Sequence, residues 1–310
     1  MFTRRSLLAA TGAASAALVA APSFAQSWKA KYPELTFAIV PAENAAGVVD
    51  RWSPFLAYLS KELGTEVKLR VANDYAAVIE GQHSGNVQIA NYGAASFARA
   101  RIIGVPTEAI LTDENADHTI GYYSVLYVLA SSSYQKVEDL KGKNLGLVDP
   151  NSTSGNNMPR FVFNEMGIKP DSYFGKVVFT GSHENAVIAL AQGEVDVCAN
   201  QWTSADDNTV VQMITKGMLK KKDGSPLKYS DFRIIKTSPS ILNGPYALLA
   251  SLPADLKAAI KKAFLEAPVK AKAEFARLSD GKKLGFKEMT TKDYDDTVKL
   301  VKFVDSLRKA

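Results

Sequence analysis

Short runs rich in apolar and β-branched residues recur along this chain, each followed by a small polar loop and then, in most cases, by apolar residues at helical spacing. Residues 35–40, 66–71 and 87–91 read as strands, and 49–63, 76–81 and 94–103 as the helices that follow them. Trp52, Phe55, Leu56 and Leu59 fall on one helical face, and Gly64 stops that helix. The pattern resumes with strands at 144–148, 176–180 and 194–199 and helices at 156–167 and 184–192. Such alternation restricts the chain to α/β lobes with largely parallel sheets. Residues 122–130 form a long apolar run expected to cross between two lobes. A further strand is expected at 232–236, and Ser238-Pro239-Ser240 with Asn243-Gly244-Pro245 reads as the return crossing. Residues 252–310 are expected to be mostly helical, with Pro253 opening a helix.

The first 25 residues or so stand apart from that pattern. Arg4 and Arg5 precede an alanine-rich apolar stretch over 7–21, and Ser23-Phe24-Ala25 fits a small-x-small cleavage rule. A secretory signal peptide at 1–25 is expected, and Thr3-Arg4-Arg5-Ser6-Leu7-Leu8 is similar to a twin-arginine signal. No later stretch has the roughly 18 continuous apolar residues of a membrane span, so a soluble protein outside the cytoplasm is expected. About 285 residues then remain, enough for two lobes of ordinary domain size. The expected division is 26–122 plus 245–310 for lobe 1 and 123–244 for lobe 2.

The formal charge of +5 falls to about +3 without Arg4 and Arg5, and Lys220-Lys221-Lys222 reads as a solvated turn, so nucleic acid is not an expected partner. Cys198, the single cysteine, excludes an internal disulfide and reads as a small buried strand residue. Three scattered histidines give no familiar metal-ligand spacing, and no glycine-rich phosphate loop occurs. No metal or cofactor is expected.

Asp149-Pro150-Asn151-Ser152-Thr153-Ser154-Gly155 joins a buried strand to a helix. The unpaired N–H groups of that helix start, its dipole and the hydroxyls of Ser152, Thr153 and Ser154 together suit a tetrahedral oxyanion. Ordinary N-capping is the plainer role of one such hydroxyl. His183 stands at an equivalent strand-to-helix position, where a ring N–H or an imidazolium would complete an anion site; capping its own helix is the alternative. Glu43, Tyr75 and Tyr92 fall beyond the carboxyl ends of first-lobe strands, where ligands bind in α/β sheets. Tyr75, Tyr92, Tyr122 and Trp202 at strand ends also suit core or hinge packing. Asp206 and Asp207 read as helix-start acids, and one turned inward would hold a cationic group, with Trp202 adding a cation–π contact. A secreted serine hydrolase using Ser152 or Ser154, His183 and Asp149 is the competing reading, without a Gly-x-Ser-x-Gly elbow to support it.

Asp149 to Gly155, and Gly181-Ser182-His183-Glu184-Asn185-Ala186-Val187, resemble the periplasmic phosphonate-binding component of ABC importers and its phosphite- and phosphate-binding relatives. Trp52-Ser53-Pro54-Phe55-Leu56, Asp74-Tyr75, Tyr92-Gly93 and Gly121-Tyr122-Tyr123-Ser124-Val125-Leu126 add to the likeness, which runs from about residue 37 to about 252. The resemblance implies a bilobed periplasmic-binding-protein fold of type II-like form, its α/β lobes joined by two hinge strands. It implies a monomer that binds and does not catalyse, with a small-molecule phosphonate and a membrane permease as partners. It gives Ser152, Thr153, Ser154 and His183 the phosphonate oxygens, with help from Tyr92 and Tyr75. Two acids that hold an aminoethylphosphonate amine in family members match Thr203 and Asn243 here. Either the ligand lacks an amine (phosphite, methylphosphonate) or Asp206, Asp207 or Glu43 takes over. The expectation leans to 2-aminoethylphosphonate, with Trp202 and Asp206 as the cation site.

Overall fold

The computed structural model describes residues 27–221 and 223–308; the expected signal peptide, its twin-arginine motif and Lys222 lie outside the described residues. The first sheet holds β1 (Glu34–Ile39), β2 (Glu66–Val71), β3 (Ile89–Asn91), β4 (Thr107–Asn115), β11 (Pro245–Leu249) and β12 (Lys283–Glu288), ordered β12-β4-β11-β3-β1-β2. The second holds β5 (Gly121–Leu129), β6 (Asn144–Leu147), β7 (Lys176–Phe179), β8 (Val197–Trp202), β9 (Phe232–Thr237) and β10 (Ile241–Leu242), ordered β10-β5-β8-β6-β7 with β9 also on β5. In each sheet three strands run parallel, and the remaining pairings are antiparallel. The protein is a bilobed α/β structure.

Helices separate the parallel strands, as their crossover geometry demands. They are α1 (Ala45–Leu63), α2 (Tyr75–His83) and α3 (Ala94–Ile102) in the first lobe and α4 (Met158–Glu165), α5 (Pro170–Tyr173), α6 (His183–Ala191) and α7 (Thr209–Thr215) in the second. After β11 come α8 (Ala254–Lys270) and α9 (Lys272–Leu278), and the described chain ends in α10 (Asp295–Leu307). Trp52, Phe55, Tyr246, Phe264 and Phe286 pack in tilted and edge-to-face contacts at the centre of the first lobe. Each such buried side chain contributes about 1.5–3 kcal/mol. Leu126, Val128, Leu145, Leu147, Phe163 and Val197 centre the second.

One expectation changes and one is refined. β5 belongs wholly to the second sheet, so the run at 122–130 is not itself the crossing; the chain passes over at residues 116–120 and returns at Asn243-Gly244. The C-terminal region is mostly helical as expected, with one strand added, since β12 pairs antiparallel with β4. At the return crossing, a Cβ on Gly244 would lie 1.8 Å from the Tyr92 carbonyl oxygen, so only glycine fits there. α10 packs on α3, where Asp305 pairs with Arg99, and also reaches α4 through Phe303 on Phe161.

Candidate functional site

The strand-to-helix loops of both lobes meet around a cavity of about 230 Å³. The helices behind these loops are capped by their own side chains. Asn44 accepts from Gly47 N–H, Asp74 from Ala77, Ser152 from Gly155, Ser182 from Asn185 and Asn208 from Val211. The capping reading of Ser152 and its place in the cavity wall are therefore compatible. Its loop departs from the expected α-helix: Thr153–Asn157 forms a π-turn ahead of α4, a wider turn that often marks functional positions. Gly155 permits it, since a Cβ there would meet Val148 Cβ at 2.3 Å.

Of the residues singled out in the sequence, Tyr75, Tyr92, Ser152, Thr153 and His183 line the cavity, all of them buried. Ser154 does not line it; its carbonyl accepts from the Ser124 hydroxyl at 2.6 Å, and Tyr122 lies against its side chain. Trp202 is also off the cavity, its indole N–H donating to Tyr229 and its ring packed on Tyr123. Asp206 is exposed and offers Lys282 only its backbone oxygen, so the Trp202–Asp206 cation site does not form. Asp207, one residue on, lines the wall and pairs with Lys283 at 3.1 Å. Glu43 lines it too, held by Arg51 and by Lys216 at 3.0 Å. Thr203 and Asn243 are both present there without charge.

The second-lobe hydroxyls are set by contacts across the cleft. Thr153 Oγ1 accepts from Ala95 N–H at 2.9 Å, in the first turn of α3, and so keeps its O–H to donate. The Tyr75 hydroxyl lies against Ser152; burial raises its pKa, as it does those of Tyr92 and Tyr122, so all three remain protonated donors at neutral pH. Other bonds across the cleft join His183 N–H to the Ala42 carbonyl at 3.1 Å and both nitrogens of Asn44 to Glu184 at 2.8 and 2.9 Å.

His183 is buried, and desolvation lowers its pKa to about 4, against a smaller opposing effect of Asn200. The amide nitrogen of Asn200 donates to the His183 carbonyl at 2.9 Å, which turns its oxygen toward Nδ1 at 3.1 Å. That network assigns the ring proton to Nδ1 and leaves Nε2 a lone pair. At neutral pH the ring is an acceptor at Nε2, not the donor expected there. It can accept a P–OH hydrogen, or take up a proton and donate to a fully ionised anion.

Neither Ser152 nor Ser154 is hydrogen-bonded to His183 among the described residues, so no nucleophile–base pair forms. Asp149 instead accepts from Asn151 N–H at 2.7 Å. The described residues contain no cluster of three or more His, Cys, Asp or Glu fit for a metal ion, and no helix long and apolar enough to cross a membrane. Sequence reading missed Arg51, Asp113, Tyr246 and Lys283 in the wall. Nothing local marks them, because α1, β4, β11 and β12 bring them together from distant segments.

Two α/β halves meeting over a cavity walled by capped helix starts define a two-lobed solute-binding protein. Residues 37–294 match the family model described as ABC transporter, phosphonate, periplasmic substrate-binding protein, and the chain belongs to that family. It is 30% identical to the phosphate-import protein PhnD of Mycolicibacterium smegmatis, over 92% of each chain. It is 32% identical to the phosphonates-binding periplasmic protein of Escherichia coli, over 68% of this chain and 59% of that one. Among solved structures, a binding protein component of an ABC phosphonate transporter from Pseudomonas aeruginosa superposes with a TM-score of 0.76 at 25% identity, covering 89% of this chain and 88% of that one. PhnD1 of Prochlorococcus marinus in complex with methylphosphonate shares the fold, with a TM-score of 0.75 at 21% identity over 88% and 98%. The chain is thus a periplasmic phosphonate- or phosphate-binding component of an ABC importer, and its relatives are binding proteins, not enzymes.

Proposed function

We propose that this protein captures 2-aminoethylphosphonate and delivers it to the permease of its importer. The observation that supports this most is the pairing of neutral hydrogen-bonding groups with a charged wall. Tyr75, Ser152, Thr153 and His183 offer hydroxyls and an imidazole, while Glu43, Arg51, Asp113 and Lys283 stand on the wall the first lobe supplies. Phosphonate oxygens suit the former, and an ammonium substituent suits a carboxylate of the latter. Hydrogen bonds to a charged group contribute roughly 1.5–3 kcal/mol each. A few of them in a closed cleft, less the cost of association, support micromolar to nanomolar affinity.

The two lobes are taken to move about the crossings at residues 116–120 and 243–244, in a monomer exported by the signal at 1–25. Because relatives carry names that include phosphate import and phosphite binding, the test is a thermal-shift and calorimetry panel of phosphate, phosphite, methylphosphonate and 2-aminoethylphosphonate. The largest stabilisation is expected from 2-aminoethylphosphonate, with one-to-one binding and no turnover of a phosphoester. A panel in which phosphate leads would displace this reading.

A further inference from the structure

We propose that Asp113 is the residue that receives the ammonium group of an aminophosphonate, with Tyr246 positioning its carboxylate. The inference rests on the proposed function and names the group within that site that selects the substituent. An ammonium enclosed with its ligand needs a carboxylate that faces the cavity and is not already neutralised.

The other acids in the wall fail one of these conditions. Glu43 is paired with Arg51 and Lys216. Glu184 accepts two bonds from Asn44, and Lys216 stands 4.0 Å away. Asp207 is taken by Lys283, whose ammonium also donates to Asn115 at 2.7 Å. Asp280 is exposed at the mouth, where water weakens any ion pair.

Asp113 remains. It sits deep at the end of β4, and it keeps accessible surface while lining the cavity. Tyr246 donates to its Oδ1 at 3.0 Å, and no Lys, Arg or His lies within ion-pair distance of it among the described residues. Burial raises its carboxyl pKa, with Lys283 nearby pulling the other way; this is the sign of a carboxylate short of a counter-charge. The burial that raises the Tyr246 pKa further still keeps that phenol a donor, which fixes the carboxylate through one oxygen and leaves the other for a ligand.

The wall between Asp113 and the Thr153 loop is continuous. Asn243 donates to the Asp113 carbonyl at 3.0 Å, Gly244 abuts Tyr92 and Gly93, and a Cβ on Gly93 would lie 3.4 Å from the Thr153 hydroxyl.

The test compares 2-aminoethylphosphonate with ethylphosphonate, its counterpart lacking the amine, by calorimetry on wild type, Asp113→Asn and Tyr246→Phe. Wild type is expected to prefer the amine by about tenfold or more, the value of one charge-assisted contact. Asp113→Asn should abolish that preference, and Tyr246→Phe should reduce it by a smaller factor. An undiminished preference in a folded Asp113→Asn protein overturns the assignment. Equal wild-type affinities for the two ligands overturn it without any variant, while leaving phosphonate capture standing. Wild type that binds neither sinks the proposed function along with it.

Discussion

The two walls of the cavity solve different problems. In the proposed site the second lobe offers an anion Ser152, Thr153, a neutral His183 and the start of a turn, with no lysine or arginine among its cavity residues and its acids Glu184 and Asp207 already partnered by Asn44 and Lys283. The first lobe lines its side with Glu43, Arg51, Asp113 and Lys283. Fixed dipoles and hydroxyls hold an oxyanion at small desolvation cost, and they do so whatever substituent it carries. Charges cost more to enclose, and they discriminate between substituents. On the proposed reading, anchoring and selection are divided between the lobes.

The largest expected effect breaks the anchoring side. His183→Ala should weaken alkyl and aminoalkyl phosphonates alike, by about 10–100-fold in calorimetry, the loss of one hydrogen bond to a charged group. Ser154→Ala should cost less than about threefold by the same scale, since its hydroxyl is off the cavity. A loss confined to aminophosphonates in His183→Ala would reverse the division between walls.

A smaller effect concerns stability. His183 binds a proton near pH 6.5 when unfolded but only near 4 when folded, so the unfolded state holds more protons between those values. Its contribution is complete above pH 6.5 and is lost as the pH falls through about 4, at most about 3 kcal/mol. Asp113 and Asp149, whose carboxyls burial raises, act in the opposite sense. His183→Asn should therefore flatten the acid-side loss of the urea midpoint relative to wild type. An identical slope in the two proteins would mean the imidazole is not held neutral. The smallest effect is expected for Lys216→Met. Its link from the second lobe to Glu43 is partly exposed and worth about 0–1 kcal/mol. Phosphonate affinity should move about twofold or less, and a larger shift would make the cleft contacts, not the walls, the determinant of binding.

The α/β alternation, most strands and the loops at Ser152 and His183 were legible because apolar period, loop chemistry and helix caps lie within a few residues of one another. β12 was not, since Lys283-Leu284-Gly285-Phe286-Lys287-Glu288 is a short edge strand whose lysines resemble an exposed helical face. Asp113 escaped notice because its meaning depends on Tyr246, a strand away in space and 133 positions away in sequence. Asp206 and Asp207 show the limit at its finest. They are neighbours in one bend, yet one turns to solvent and the other to Lys283. Trp202 misled because its register opposite Tyr123 on β5 commits the indole to the lobe's own packing.

The placement of α10 has a mechanical consequence. The halves are joined covalently at residues 116–120 and at Asn243-Gly244, and α10 adds a third bearing point where Phe303 rests on Phe161. Two flexible links alone would let one half swivel as well as swing. With a seat beside them, torsion between the halves is resisted, and the remaining freedom approaches that of a door on its frame.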